Sequence, residues 1–270
     1  MKSFLTINLI LITAFSYAQT ETGSQWTKNK ILIDGNAYDW NLPLKHYDNE
    51  TALFFDFKND SSHLYLCFQT KDEVNEAKIL GSGMKIIISD KINGKHKSVI
   101  NFPLPYHHAA KSNEQDEIKP DPLASRQSRR ASFLAADTMM EVKGFTNSNG
   151  IISTKNSDIH AAVNFDSSNT LTYEIAIPFK ELFGSDFNLK DVSKDISLNV
   201  IINAMQNHSE GGRGGYSGRG GYGGGRMGGG YGGMHSGNRM GGEGEQNQFN
   251  RAAMAQKTEL KQKFSLSLPQ

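Results

Sequence analysis

The chain has 270 residues, 29 basic against 28 acidic, so it carries no charge excess of the kind that would mark a dominant polyanion-binding role. A single cysteine, Cys67, excludes an intrachain disulfide, and stability must come from a packed core. The length allows one large domain once two segments unsuited to packing are set aside.

The N-terminus reads as a signal peptide over residues 1–18. Lys2 supplies the basic n-region, Leu9 to Phe15 the apolar run, and Ser16-Tyr17-Ala18 the small residues of a cleavage site after Ala18. That run is shorter than the roughly 20 residues of a membrane span, and no later stretch is long and apolar enough, so no transmembrane span is expected. Export to the periplasm or the outside follows. Removing residues 1–18 takes away Lys2 and no acid, which leaves the mature chain with balanced charge.

From Ile31 onward apolar residues recur every second position. Leu53, Phe55 and Phe57 share one side, and Leu64, Leu66 and Phe68 repeat the pattern after the turn-forming cluster Asn59-Asp60-Ser61-Ser62, which predicts a hairpin. Further strands are expected over Met84 to Ser89, Ser98 to Phe102, Met139 to Phe145, Ile159 to Phe165, Leu171 to Ile177, Ile196 to Ala204 and Phe264 to Leu268. The alternations Tyr173/Ile175/Ile177 and Leu198/Val200/Ile202 predict sheets with one buried and one wetter face. Helix is expected only in short pieces, at Pro178 to Phe183 closed by Gly184 and at Ala252 to Leu260. The whole reads as an all-β, mainly antiparallel β-sandwich over residues 19–270.

Two segments break the pattern. Residues 111–130 are polar, of mixed charge, and hold Pro120 and Pro122, which predicts a long surface loop with at most one helical turn. Between Gly211 and Gly244 there are nineteen glycines, four arginines, three tyrosines and three methionines, with no Val, Ile, Leu, Phe or Trp. Backbone ordering costs roughly 1–2 kcal/mol per residue, which such a composition cannot offset by apolar burial, so 211–244 is expected to be a disordered insert before the last strand.

Several landmarks fall in a recognisable order: Ile33-Asp34-Gly35 with Asp39-Trp40, Asn59-Asp60 before Leu64-Tyr65-Leu66, Gly83 leading into Ile86-Ile87-Ile88, and Tyr173-Glu174-Ile175-Ala176-Ile177-Pro178. Together they resemble the family 9 carbohydrate-binding modules and their DOMON-like relatives, from about Trp26 to Ala204 and again in the last strand. The resemblance implies a jelly-roll-like sandwich that binds glycan ends between aromatic platforms and often carries structural calcium. Asp34, Asp39, Asp48, Asp60 and Asp72 offer hard oxygen ligands, without EF-hand spacing, and turn formation explains most of them.

A sugar site needs an exposed ring for a pyranose face, flanked by polar side chains. The candidates are Trp26, just before the first predicted strand; Trp40, which as a landmark residue also fits the core; and Tyr106 with His107, after Pro103 and Pro105 in a predicted loop. No nucleophile elbow, zinc-protease helix, phosphate loop or dinucleotide fingerprint occurs, so no catalytic residues are assigned. In the glycine-rich insert, Arg213, Tyr216, Arg219 and Tyr222 resemble arginine-glycine repeats that bind RNA. Export directs them away from nucleic acid and toward a surface, a cell-envelope glycan or a protein partner. The preferred function is non-catalytic recognition of a saccharide. The alternative is an envelope-associated interaction protein whose glycine-rich loop captures its partner.

Overall fold

The structure is a computed structural model, and it describes residues 23–89, 97–104, 122–135, 139–189, 196–205 and 250–269. Two six-stranded sheets share one core. The first holds β1 (Gln25–Trp26), β3 (Leu53–Asn59), β4 (His63–Thr70), β10 (Leu171–Pro178) and β9 (His160–Phe165) in that order, with β2 (His46–Asp48) also paired to β3. The second runs β12 (Thr258–Phe264), β11 (Ile196–Ile202), β5 (Met84–Ser89), β6 (Lys97–Phe102), β7 (Met139–Lys143) and β8 (Gly150–Ser153). Every pairing is antiparallel except β1 with β3.

The core forms where the period-two faces meet. Leu53, Phe55, Phe57, Leu66, Phe68, Tyr173 and Ile175 of the first sheet pack with Ile86, Ile100, Phe102, Leu198, Val200 and Phe264 of the second. Rings bridge the sheets directly: Phe57 lies 4.6 Å from Phe264 and Phe102 lies 5.4 Å from Tyr173, whose hydroxyl donates to the Phe102 carbonyl at 3.1 Å. The predicted hairpin is β3–β4, closed by Asp60, whose carboxylate accepts from the backbone N–H of Ser62 and of His63.

Among the described residues three α-helices lie between β4 and β11, besides a 3-10 turn at Ala37–Asp39 and a helical stretch at 250–254. α1 (Glu73–Ser82) escaped the strand-based reading, although its signals are present: the Asp72 side chain caps the Asn75 N–H at 2.8 Å, and Gly83 ends it with φ +75. A Cβ at Gly83 would stand 2.3 Å from the Pro103 carbonyl oxygen, so this glycine is also required by close approach. α2 (Pro122–Ala135) corrects the loop expected over 111–130, whose residues 122–130 are helical. Its polar stretch is amphipathic rather than unstructured, because Arg126 and Arg130 both reach Glu76 of α1. Residues 111–121 lie outside the described residues. α3 (Phe179–Phe183) follows Pro178 and closes at Gly184 as expected.

At the C-terminal end the expectation shifts. Only 250–254 is helical, and the last strand is Thr258–Phe264 rather than Phe264 to Leu268. Its buried face is just Leu260 and Phe264 among Lys257, Lys261 and Lys263, which hides the alternation and suits an edge strand. The insert expected at 211–244 lies outside the described residues.

The first sheet is covered on its outer side as well. Residues 31–45 cross it and form a second apolar cluster of Ile31, Ala37, Trp40 and Leu44 over Tyr65, Cys67 and Ala176. Alternation in β10 therefore does not mean one wet face: all eight of its residues are buried, against a strictly alternating β11.

Candidate functional site

Trp40 is 4% exposed and belongs to the second cluster, so it is no stacking platform. Its indole N–H donates to Glu174 Oε1 at 2.7 Å, and Glu174 Oε2 accepts from the Gly35 N–H at 2.8 Å and the Asp34 N–H at 3.3 Å. The predicted Asp-Gly bend is therefore a clamp: Asp34 Oδ1 accepts the Asn36 N–H, Gly35 takes φ +80, and both backbone N–H groups point at one carboxylate. Burial pushes the Glu174 carboxyl up to about 7, helped by the nearby Asp34 and opposed by these three donors. Lys58 stands 5.1 Å over the Trp40 ring and donates to the Asp39 carbonyl at 2.7 Å; burial lowers its pKa against the pull of Asp56 and Asp39.

Trp26 has a different setting. β1 is only two residues long, held by pairing with Lys58 and Asn59 and by the Thr27 N–H on the Asn59 carbonyl at 2.9 Å. Asn59 also gathers the other end of the chain. Its Oδ1 accepts the Ser267 N–H at 2.9 Å, its Nδ2 donates to the Ser267 carbonyl at 2.9 Å, and the Ser24 N–H reaches the Ser265 carbonyl at 2.9 Å. Ser24 and Ser267 also bond through their hydroxyls, to Asn59 and to the Ser24 carbonyl respectively. This clasp sets the half-buried Trp26 as the shared wall of two open clefts, of about 540 Å³ on the Asp60–His63 side and about 580 Å³ on the Ser267–Leu268 side.

The larger share of chemistry lies in the cleft with His63. Trp26 and His63 present rings; Lys28 and Lys30 are exposed; Thr27 and Ser62 bring hydroxyls. Asp60 lines the same cleft but is engaged locally, accepting from the Ser62 N–H at 2.6 Å, the His63 N–H at 2.7 Å and the Tyr65 hydroxyl at 2.7 Å. Those hydrogen bonds hold its carboxyl below the usual range despite burial. Burial lowers His63, with Lys30 and His160 adding to the effect and Asp60 opposing it, so its ring is neutral near pH 7. The cleft thus carries the exposed charges of Lys28 and Lys30 beside the locally hydrogen-bonded Asp60 carboxylate.

The sequence named Trp26 without its surroundings; Lys28, Lys30 and His63 were missed, and the parallel pairing of β1 to β3 is what brings His63 to the other three. Tyr106 and His107 lie outside the described residues, as do Arg213, Tyr216, Arg219 and Tyr222. The five aspartates do not converge. Asp39 Oδ2 accepts the Leu32 N–H, Asp48 Oδ2 the Thr51 N–H and hydroxyl, and Asp72 caps α1. Among the described residues no group of three or more His, Cys, Asp or Glu is placed to hold a metal, and Asp39, Asp48 and Asp72 each accept a nearby backbone N–H. Cys67 is buried, and its thiol is pushed well up by burial and by Glu174 and Asp56. Also among the described residues, no helix is long and apolar enough to cross a membrane.

No family model matches the chain, and no curated protein matches it either.

Proposed function

We propose that the protein is an exported, non-catalytic saccharide-binding protein that holds its ligand against Trp26. The observation that carries this reading is one aromatic wall shared by two open clefts, with His63, Lys28, Lys30 and hydroxyls around it. A pyranose presents a C–H face to an indole and hydroxyls to its rim, which is the pairing this lining supplies. The likeness of the landmark residues to family 9 carbohydrate-binding modules supports the same class, with a jelly-roll-like order of strands. The signal-peptide pattern at 1–18 supports export, and N-terminal sequencing of the secreted protein is expected to begin at Gln19.

The test is a glycan array followed by calorimetry on the hits. Trp26→Ala is expected to weaken binding about tenfold, in line with about 1.4 kcal/mol for a lost stacking surface. Deleting 211–244 is expected to leave that affinity unchanged. An array without hits, or a Trp26→Ala chain that binds as well as the parent, overturns the reading.

A further inference from the structure

On the outer side of the first sheet, strand register sets five residues in one line across five strands: Tyr47 opposite Phe54, Phe54 opposite Gln69, Gln69 opposite Thr172, and Thr172 opposite Asn164. The alternate residues Phe55, Phe68, Tyr173 and Val163 are in the core, so this line faces away from it. The neighbouring line, with Asp56, Cys67 and Glu174, lies under residues 31–45. That cover stops short of Tyr47, Phe54 and Gln69, where Lys45 N–H bonds Asp56 at 3.0 Å, and touches the line only at its far end, where Gly35 sits so close to Asn164 that a Cβ there would meet the Asn164 Cβ at 2.4 Å.

Thr172 is itself buried, at 2% exposed, so the open part of the line is Tyr47, Phe54 and the half-buried Gln69 at one end and the half-buried Asn164 at the other. Tyr47 and Phe54 are 50% and 44% exposed, with rings 4.6 Å apart and tilted 43°. Next to them Gln69 donates through Nε2 to the Thr172 hydroxyl at 3.0 Å, which fixes its amide with the carbonyl oxygen unused among the described residues. Asn164 ends the line with its Oδ1 on the Phe165 N–H and its amide N–H groups turned to no described acceptor. None of the five is charged. The equivalent line on the second sheet is charged, with Lys85 beside Asn101 and Asn101 bonded to Glu141 at 2.7 Å.

We propose that this line is a second binding surface, a platform for a neutral polysaccharide chain lying across the strands. Two rings would carry the C–H faces of successive sugars, and the Gln69 carbonyl and Asn164 amide would meet their hydroxyls. The exposed stretch from Tyr47 through Phe54 to Gln69 crosses three strands at about 4.8 Å spacing, about 10 Å or room for about two sugar units, and Asn164 lies two strands further on, beyond the buried Thr172. An anionic polymer finds no cation in the line, and a purely apolar partner leaves the two amides unanswered once buried. The proposal extends the saccharide reading to a separate surface, and it stands or falls separately from the Trp26 cleft.

The experiment is native affinity electrophoresis of the full chain in gels containing hydroxyethylcellulose, soluble xylan or galactomannan. Retardation is expected in at least one of these neutral gels. Phe54→Ala and Gln69→Ala are each expected to weaken it about fivefold, and to do so equally in a chain that already carries Trp26→Ala. Both altered side chains lie at the surface of the line, and unchanged thermal melting establishes that each variant folds. Absence of retardation in all three gels overturns the proposal, as does parental migration of both variants. Loss of retardation in Trp26→Ala alone moves the binding to the cleft and overturns it equally, while leaving the cleft reading in place.

Discussion

The two sheets start from the same period-two pattern and end in different environments. In the second, β5 and β11 alternate strictly between buried and half-buried positions, and the outer face carries residues such as Lys85, Val99 and Asn199. In the first, β10 is buried throughout: residues 31–45 seal the outer face over Glu174 and Ala176, and the Gln69 amide bonds Thr172 beside that seal. The seal encloses polar groups: Asp56, Lys58 and Glu174 are 2%, 7% and 0% exposed. Each is answered by the covering segment, through the Lys45 N–H, the Asp39 carbonyl, and the Gly35 N–H with the Trp40 indole. A buried polar group without a partner is destabilising by several kcal/mol, so the seal and the polar network require each other. A strand whose two faces are both buried thus need not be apolar on both; it needs a cover with donors in the right places.

Removing the cover's anchor is expected to have the largest effect. Trp40→Ala loses a buried indole and strips Glu174 of a donor, so urea denaturation should show a loss of about 3–5 kcal/mol. A loss below about 1 kcal/mol would mean that the seal is not integral to the first sheet.

Glu174 gives a sharper test through pH. Its folded-state pKa of about 7 lies above the ordinary glutamate value of 4.5, so between these limits the folded chain holds a proton that the unfolded chain has released. The sign follows: this carboxyl stabilises least at high pH, and stability falls as pH rises from about 4.5 through about 7. Asp34 faces it from the bend, with Asp56, Lys58 and Cys67 nearby on the sheet. Glu174→Gln removes the titration, so the stability difference between variant and parent should move by about 2–3 kcal/mol in the variant's favour between about pH 5 and about pH 8. A pH-independent difference in paired denaturation curves would place the pKa of Glu174 near its ordinary value.

The smallest effect is expected on the second sheet. Val99 is half-buried on the outer face opposite Ile87, so Val99→Lys should change the thermal stability by less than about 0.5 kcal/mol. A large loss there would show that this face too is covered, and the contrast between the sheets would disappear.

Strand positions were legible because Phe, Leu and Ile at every second residue have one low-energy solution, a pleat with that side buried. The β3–β4 hairpin, β5, β9, β10, β11, the Asp34-Gly35 bend and the Pro178–Gly184 helix all follow from local chemistry of this kind. α1 was missed because Asp72 and Gly83 are as much turn signals as caps, and α2 because its helix is held by Arg126 and Arg130 on Glu76, fifty and fifty-four residues away. Of the candidate site, the sequence singled out Trp26. Lys28 and Lys30 follow Trp26 in the chain but carry no local signal of a site, and His63 joins them through the pairing of β1 with β3, which the clasp of Ser24, Asn59 and Ser267 reinforces across up to 243 positions.

The sequence by itself determined two pleated layers with Phe57, Phe68, Tyr173 and Leu198 between them, since side-chain alternation is a property of the strand alone. Only the tertiary structure decided that Trp40 is a lid and Trp26 a wall. The two indoles are chemically the same, and their exposure depends on which distant strand each one lands against, which no local pattern encodes.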